Sequence, residues 1–268
     1  MITLHEIVRQ FPKELQKPEF YDPMVKEYFH HHILKTLFTG KFASRISFIG
    51  GTALRLFYDL KRFSEDIDLD CGDLSKSQFL EMTGRILYEL QALGVEVVIE
   101  DKSRYDALKA FRRVFVFPEL KYRLGISQQK EAKFFIKVEA ESQHYEYQCD
   151  IKMINRFGVN APIRTMPQNL LFSTKIAAAL NRRKDRDFYD VVFMIDFARP
   201  DFNFLSQRCR IESNDQLRNA LINAANDRKL STRKIFDCEH MLFDKSEISR
   251  IRSFSEYVVH HEFRHLRG

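Results

Sequence analysis

The sequence predicts an α+β fold: a mixed β-sheet with flanking helices over about residues 1–160, followed by a helical domain over about 161–268. Three observations carry this. Stretches of strand alternation concentrate in the middle of the first part, helical periodicity takes over from about Met166, and no internal repeat or low-complexity tract interrupts either. With 268 residues, 44% hydrophobic and 30% charged, the chain is long enough to bury a real core.

Residues 1–44 read as helical. "DPMVKEYFHHHILKTLF" opens on Asp22 as a cap with Pro23 at the first helical position. "RISFIGG" is a short strand ending in the Gly50-Gly51 turn, "TALRLFYDL" is helical, and "DIDLD" is the next strand. "SKSQFLEMTGRILYELQALG" has helical periodicity, a Ser cap and a terminal glycine. "VEVVIED", "FRRVFVFPE", "FFIKVEAES" and "EYQCDIKMI" read as strands by alternation and by β-branched or aromatic content. "QNLLFSTKIAAALNRR" and "DRDFYDVVFMIDFA" begin the helical part. His30, His31 and His32 diverge by about 100° per residue on a helix, so they cannot close on one ion, and a surface run is expected.

No apolar run approaches the roughly 20 residues of a membrane span. "MITLHEIVRQFPKEL" carries charge early and has no apolar core, so a signal peptide is not expected. The four cysteines are far apart without C-x-x-C spacing, which reads as reduced thiols in a cytoplasmic protein. The net charge of +6 is uneven: the window 102–137 holds ten Lys/Arg against three acids. Such a cluster suits a polyanionic partner, or else a solvated basic face.

The chemistry concentrates in "FIGGTALRLFYDLKRFSEDIDLD". On a strand Asp66 and Asp68 project to one face about 6.5–7 Å apart, a spacing at which two carboxylates share a divalent metal or hold two. A calcium loop fails, because its required Gly and Glu positions hold Cys71 and Ser77. Gly50 and Gly51 lack Cβ and admit a phosphate to backbone amides, and Thr52 opens a helix whose N-terminus favours anions. Together they make a nucleotide site, with triphosphate at the glycines and metal at the aspartates. Arg62 and Ser64 either hold phosphate or stabilise the turn. Glu139 is the candidate third carboxylate, as metal ligand or as general base, against the alternative of an exposed strand residue paired with Lys137. Lys175, Arg182, Arg183, Arg186, Asp187 and Asp190 are expected on helices, with Asp187 and Asp190 sharing a face. Lys175 is too far from Asp187 for a local pair; it is either a phosphate contact or a surface lysine.

The combination G-G-T-A-L, R-x-S-x-D-x-D-L, I-K-x-E and K-x-x-A-x-x-x-R-x-K-x-R-D-x-Y-D resembles the AbiEii/AbiGii-type nucleotidyltransferase toxins of the DNA polymerase β-like superfamily, over roughly residues 45–70, 134–141 and 165–196. The resemblance implies a nucleotidyltransferase-type sheet and transfer of a nucleotide from an NTP to an acceptor such as the 3′ end of tRNA. It also implies a bacterial toxin–antitoxin or abortive-infection setting with an antitoxin encoded nearby. Asp66 and Asp68 would bind Mg²⁺ (or Mn²⁺), with Glu139 in place of the usual third aspartate. Gly50, Gly51 and Thr52 would hold the triphosphate and Lys175 would neutralise it. Asp187 would be the late acid, supported by Asp190 and Arg186. Asp70 falls at a variable position.

Two other classes compete. His261-Glu262-Phe263-Arg264-His265 is a literal H-E-x-x-H, the zinc peptidase pattern, but only three residues follow it. A non-catalytic nucleic-acid binder of the same fold would explain the basic window, yet would leave the acidic face of Asp66 and Asp68 without a cation.

Overall fold

The computed structural model describes residues 2–100, 110–261 and 263. Of the basic window, Lys102, Arg104 and Lys109 therefore lie outside the described residues. The chain divides into two compact units, Met1–Asp59 with Phe63–Thr165, and Leu60–Arg62 with Met166–Gly268.

In the first unit, α1 (Leu4–Val8) is closed by a capping box between Thr3 and Glu6. It is followed by α2 (Tyr21–Phe38), β1 (Ser47–Ile49), α3 (Gly50–Tyr58), β2 (Ile67–Asp70) and α4 (Lys76–Ala92), whose cap is Ser75. Then come β3 (Val98–Ile99), β4 (Phe111–Val116), α5 (Leu120–Arg123), β5 (Phe135–Ala140), β6 (Asp150–Arg156) and β7 (Val159–Thr165). The strands form one mixed sheet in the order β3-β4-β5-β2-β1-β7-β6. β2 sits inside it, parallel to β5 and antiparallel to β1. The expected mixed sheet with flanking helices is thus present. β7 is the element that the alternation reading did not single out. Its buried Val159, Ala161, Ile163 and Thr165 alternate with exposed Asn160 and Pro162. Pro162 has no N–H to give a ladder, and β1 meets β7 only at Phe48↔Thr165, away from it.

The histidine run is a correction: His30 and His31 are fully or nearly fully buried. The reason is that α2 packs against α1, α4 and β7 and so is covered on several sides. His30 Nε2 donates to the Glu65 carbonyl at 3.0 Å, and His31 Nδ1 donates to the Glu27 carbonyl at 2.8 Å. In each neutral ring the proton sits on the nitrogen that faces the carbonyl, and burial opposes adding a second one. Glu27, also buried, is paired with Arg55 at 2.9 Å and with Arg156.

The second unit is helical: α6 (Gln168–Asn181), α7 (Asp185–Met194), α8 (Phe202–Cys209), α9 (Asn214–Asp227), α10 (Ile248–Arg252) and α11 (Phe254–His260). Asp201 and Ser213 cap α8 and α9 through Phe204 N and Gln216 N. Leu60–Arg62 joins this unit: Lys61 O accepts from Phe243 N at 3.1 Å, and Arg62 forms a bridge with Leu242. Among the described residues no helix is long and apolar enough to cross a membrane.

The buried imidazoles give a pH dependence. Burial pushes His30 and His32 down to about 4, below the ordinary imidazole value. The folded value lies below the unfolded one, so the unfolded chain takes up the extra protons between about pH 6.5 and 4. The stability that comes from keeping these rings neutral is complete above pH 6.5 and is lost as the pH falls through this window. Each histidine contributes a slope of about 1.4 kcal/mol per pH unit there. Urea unfolding at pH 7, 6 and 5 should show the decline, and His30→Leu should flatten it. Identical slopes for wild type and variant would contradict the assignment.

Candidate active site

In the first unit the aspartate strand lies between two partners whose registers align its acids. Asp68 is the partner of Glu139 on β5, which is in turn the partner of Arg112 on β4. Asp68 is also the partner of Ile49 on β1, the residue before the glycine pair. Cross-strand partners share a sheet face, so Arg112, Glu139 and Asp68 form one row, with Asp66 and Lys137 beside it. Lys137 Nζ lies 3.0 Å from Asp66 Oδ2. Arg112 forks onto Glu139, Nε to Oε1 at 2.9 Å and a terminal nitrogen to Oε2 at 3.1 Å. The acidic face is therefore partly neutralised by the protein's own cations. Glu139 pairs with Arg112, while Lys137 takes Asp66.

Gly50 is the position that the row cannot do without. It has φ +82° in the left-handed region, and a Cβ there would stand 2.2 Å from Asp68 Oδ2. Only glycine fits both demands. It opens α3, whose first turn has no side-chain cap, so the helix N-terminus sits directly beside the Asp68 carboxylate. Thr52 is buried, and its hydroxyl donates to the Asp66 carbonyl, tying α3 to the approach to β2. Gly51 follows in the same turn, and Ser64 is half-buried. Asp70 is used differently: it accepts from Tyr147 OH at 2.6 Å and from Gln143 N at 3.0 Å.

The donor set here is carboxylate oxygen, the chemistry of a hard divalent cation, and the Asp68 carboxylate lies where a Cβ at position 50 would stand. Asp66 and Asp68 fit such a cation. Among the described residues no group of three or more acidic, His or Cys ligands is gathered for one ion.

The remaining candidates belong to the second unit. Arg62 is not an open phosphate contact: it is 2% exposed and forks onto Asp190 at 2.8 and 2.7 Å. Lys175, 5% exposed, reaches the same carboxylate at 2.9 Å, so it is neither a surface lysine nor an open phosphate contact. Burial by itself would raise the Asp190 pKa, but Arg62 and Lys175 more than offset that and hold it at about 2. Asp187, fully buried, accepts from Arg182 at 2.8 and 2.6 Å. Asp185, which sequence reasoning did not single out, is equally buried and takes Arg228, Arg233 and Asp237 N. A run of three acids on one helix was its only signal. Arg186 is half-buried on α7. At the C-terminus α11 stops at His260 and His261 is extended, so the H-E-x-x-H does not begin on a helix. Glu262 and His265 lie outside the described residues.

Two stability measurements follow. Asp190→Ala strands a buried guanidinium and a buried ammonium, a loss of about 3–5 kcal/mol that lowers Tm by on the order of 10 °C. A shift under about 2 °C would mean that the triad is not the anchor its geometry suggests. Gly50→Ala forces Asp68 aside and strains φ, destabilising by roughly 1–3 kcal/mol. Wild-type stability for this variant would show that the contact at position 50 is slack.

The fold is shared with known proteins. MenT4, a nucleotidyltransferase toxin from Mycobacterium tuberculosis H37Rv, matches with a TM-score of 0.58 at 15% identity, over 98% of this chain and 91% of that one. JHP933 from Helicobacter pylori matches with a TM-score of 0.50 at 18% identity, over 88% and 91%. No curated protein matches the sequence. The family described as "Nucleotidyl transferase AbiEii toxin, Type IV TA system" matches residues 32–254. That span takes in the glycine turn, the aspartate strand, Glu139 and the R-D-x-Y-D helix, and the chain belongs to the AbiEii family of nucleotidyltransferase toxins.

Proposed function

We propose that this nucleotidyltransferase moves a nucleotide from an NTP onto a hydroxyl of an RNA, a tRNA 3′ end in the first instance. It would do so in the cytoplasm, as the toxin of a two-gene system whose antitoxin is encoded nearby. The observation that carries the site assignment is the register that sets Asp68 beside Glu139 and against Gly50 at the start of α3.

The reaction needs an aligned acceptor and neutral surroundings for the transferring phosphoryl group. The acceptor oxygen bonds to the α-phosphorus, the α–β bridging P–O bond breaks, and pyrophosphate leaves. Asp66 and Asp68 would hold Mg²⁺ or Mn²⁺, which when bound supplies charge neutralisation at the phosphates. The amides of Gly50, Gly51 and Thr52 suit triphosphate oxygens because they lie in the uncapped first turn of α3. Glu139 takes the hydroxyl proton or serves as a third cation ligand. Arg62, Lys175, Asp187 and Asp190 organise the second unit, a reading supported by the burial of both acids against basic partners.

Incubation with each of the four labelled NTPs and total tRNA should label the RNA. Asp68→Ala should reduce labelling by about 100-fold or more at unchanged Tm. The assignment fails if wild type labels neither RNA nor protein with any NTP, or if Asp68→Ala retains full transfer.

A further inference from the structure

The acidic row contains two cations that the motif reading does not use. Lys137 shares a sheet face with Glu139 and pairs with Asp66, and Arg112 pairs with Glu139 from the neighbouring strand. From this geometry we infer that Lys137 and Arg112 are triphosphate ligands, held on the carboxylates until substrate arrives. The inference rests on the reading of Asp66 and Asp68 as the cation-binding acids, with Glu139 beside them as third ligand or base.

A contrast in exposure supports it. The cations on Asp190 are sealed in, with side chains 3% exposed for Arg62 and 6% for Lys175. Lys137 and Arg112 are 32% and 29% exposed, and their acids 23% and 24%. Sealed pairs are fixed by the large cost of separating them, whereas pairs between a quarter and a third exposed separate at a smaller cost. Lys137 and Arg112 are therefore built to change partner.

Charge balance names the new partner. A divalent ion on Asp66 or Glu139 competes for the carboxylate oxygens that the ammonium and guanidinium now hold, so its arrival weakens both pairs. Once released, the two cations stay on the same sheet face, anchored by their strands. The anion that comes with a nucleotide-bound divalent ion is its triphosphate. The Arg112 fork matches two phosphate oxygens, and Lys137 offers a compact charge. Lys137 Nζ also lies 5.8 Å from the Phe135 ring, an apolar neighbour that keeps the side chain on this face.

If the two cations only neutralised the acids, removing them would leave phosphate binding unchanged. The probes are Mn²⁺ alone and inorganic tripolyphosphate with Mn²⁺, titrated calorimetrically into the full chain. In Lys137→Gln and in Arg112→Gln, Mn²⁺ alone should bind as tightly as in wild type or tighter, because its competitor is gone. Tripolyphosphate should bind about 10-fold more weakly or worse. Lys137→Arg, which keeps the charge, should restore it to within about threefold. Thermal melts check folding, and if Lys137→Gln does not fold, Arg112→Gln decides. Tripolyphosphate affinity within twofold of wild type in the folded Gln variants overturns the inference while leaving the acid row intact. A wild-type chain that binds neither probe overturns the acid row itself, and this inference with it.

Discussion

The contact between Asp68 and Gly50 is the constraint on which the rest of the first unit depends. A carboxylate occupies the space that any side chain at position 50 would need, so the strand and the helix N-terminus approach more closely than two ordinary residues allow. That closeness requires a fixed β1–β2 register. Residues two places further along hold it: Ser47 is paired with Asp70, and the Tyr147 hydroxyl joins both side chains. Slippage by one residue would turn Asp68 away from the turn and bury it among the apolar residues of the other face.

The acid row of the first unit and the acids of the second unit treat charge in opposite ways. In the second, Asp185, Asp187 and Asp190 are fully buried on one helix, each held by arginine or lysine. Such pairs stabilise little compared with a well-packed apolar core, but losing one partner is severe. They specify an arrangement more than they strengthen it. In the first unit Asp66 and Glu139 keep a water-facing side, unlike the sealed Glu27, and their cations can exchange partners.

Much of this was legible in sequence for local reasons. The period-2 pattern of Asp66, Ile67, Asp68 and Leu69 announces a strand with one acidic face, and the Gly50-Gly51 pair announces a turn before a helix. Alternation with Val138 likewise marks Glu139 as a candidate, and the register sets it opposite Asp68. What stayed hidden depends on distance along the chain. Arg62 and Asp190 are 128 residues apart, and no local pattern announces that they meet. Asp66 and Lys137, 71 residues apart, join only through the β2–β5 register. His30 and His31 read as polar surface because histidine is itself polar, although Phe29 and Ile33 flank the run. Their burial comes from α1, α4 and β7, which a helix considered alone does not reveal. Pro162 masked β7 by breaking the local rule for strands at a point where that rule does not bind.

Leu60–Arg62 has a consequence for how the molecule can be divided. The chain leaves the first unit after Asp59, returns at Phe63 and leaves again after Thr165, so the boundary is crossed three times. A cut at Thr165 does not produce two independent modules. The N-terminal fragment would carry an arginine deprived of its acid, and the C-terminal fragment a buried acid with only Lys175 to balance it. The two parts form a single inheritable object: neither can be swapped between relatives without the three-residue graft that travels inside the other's sequence.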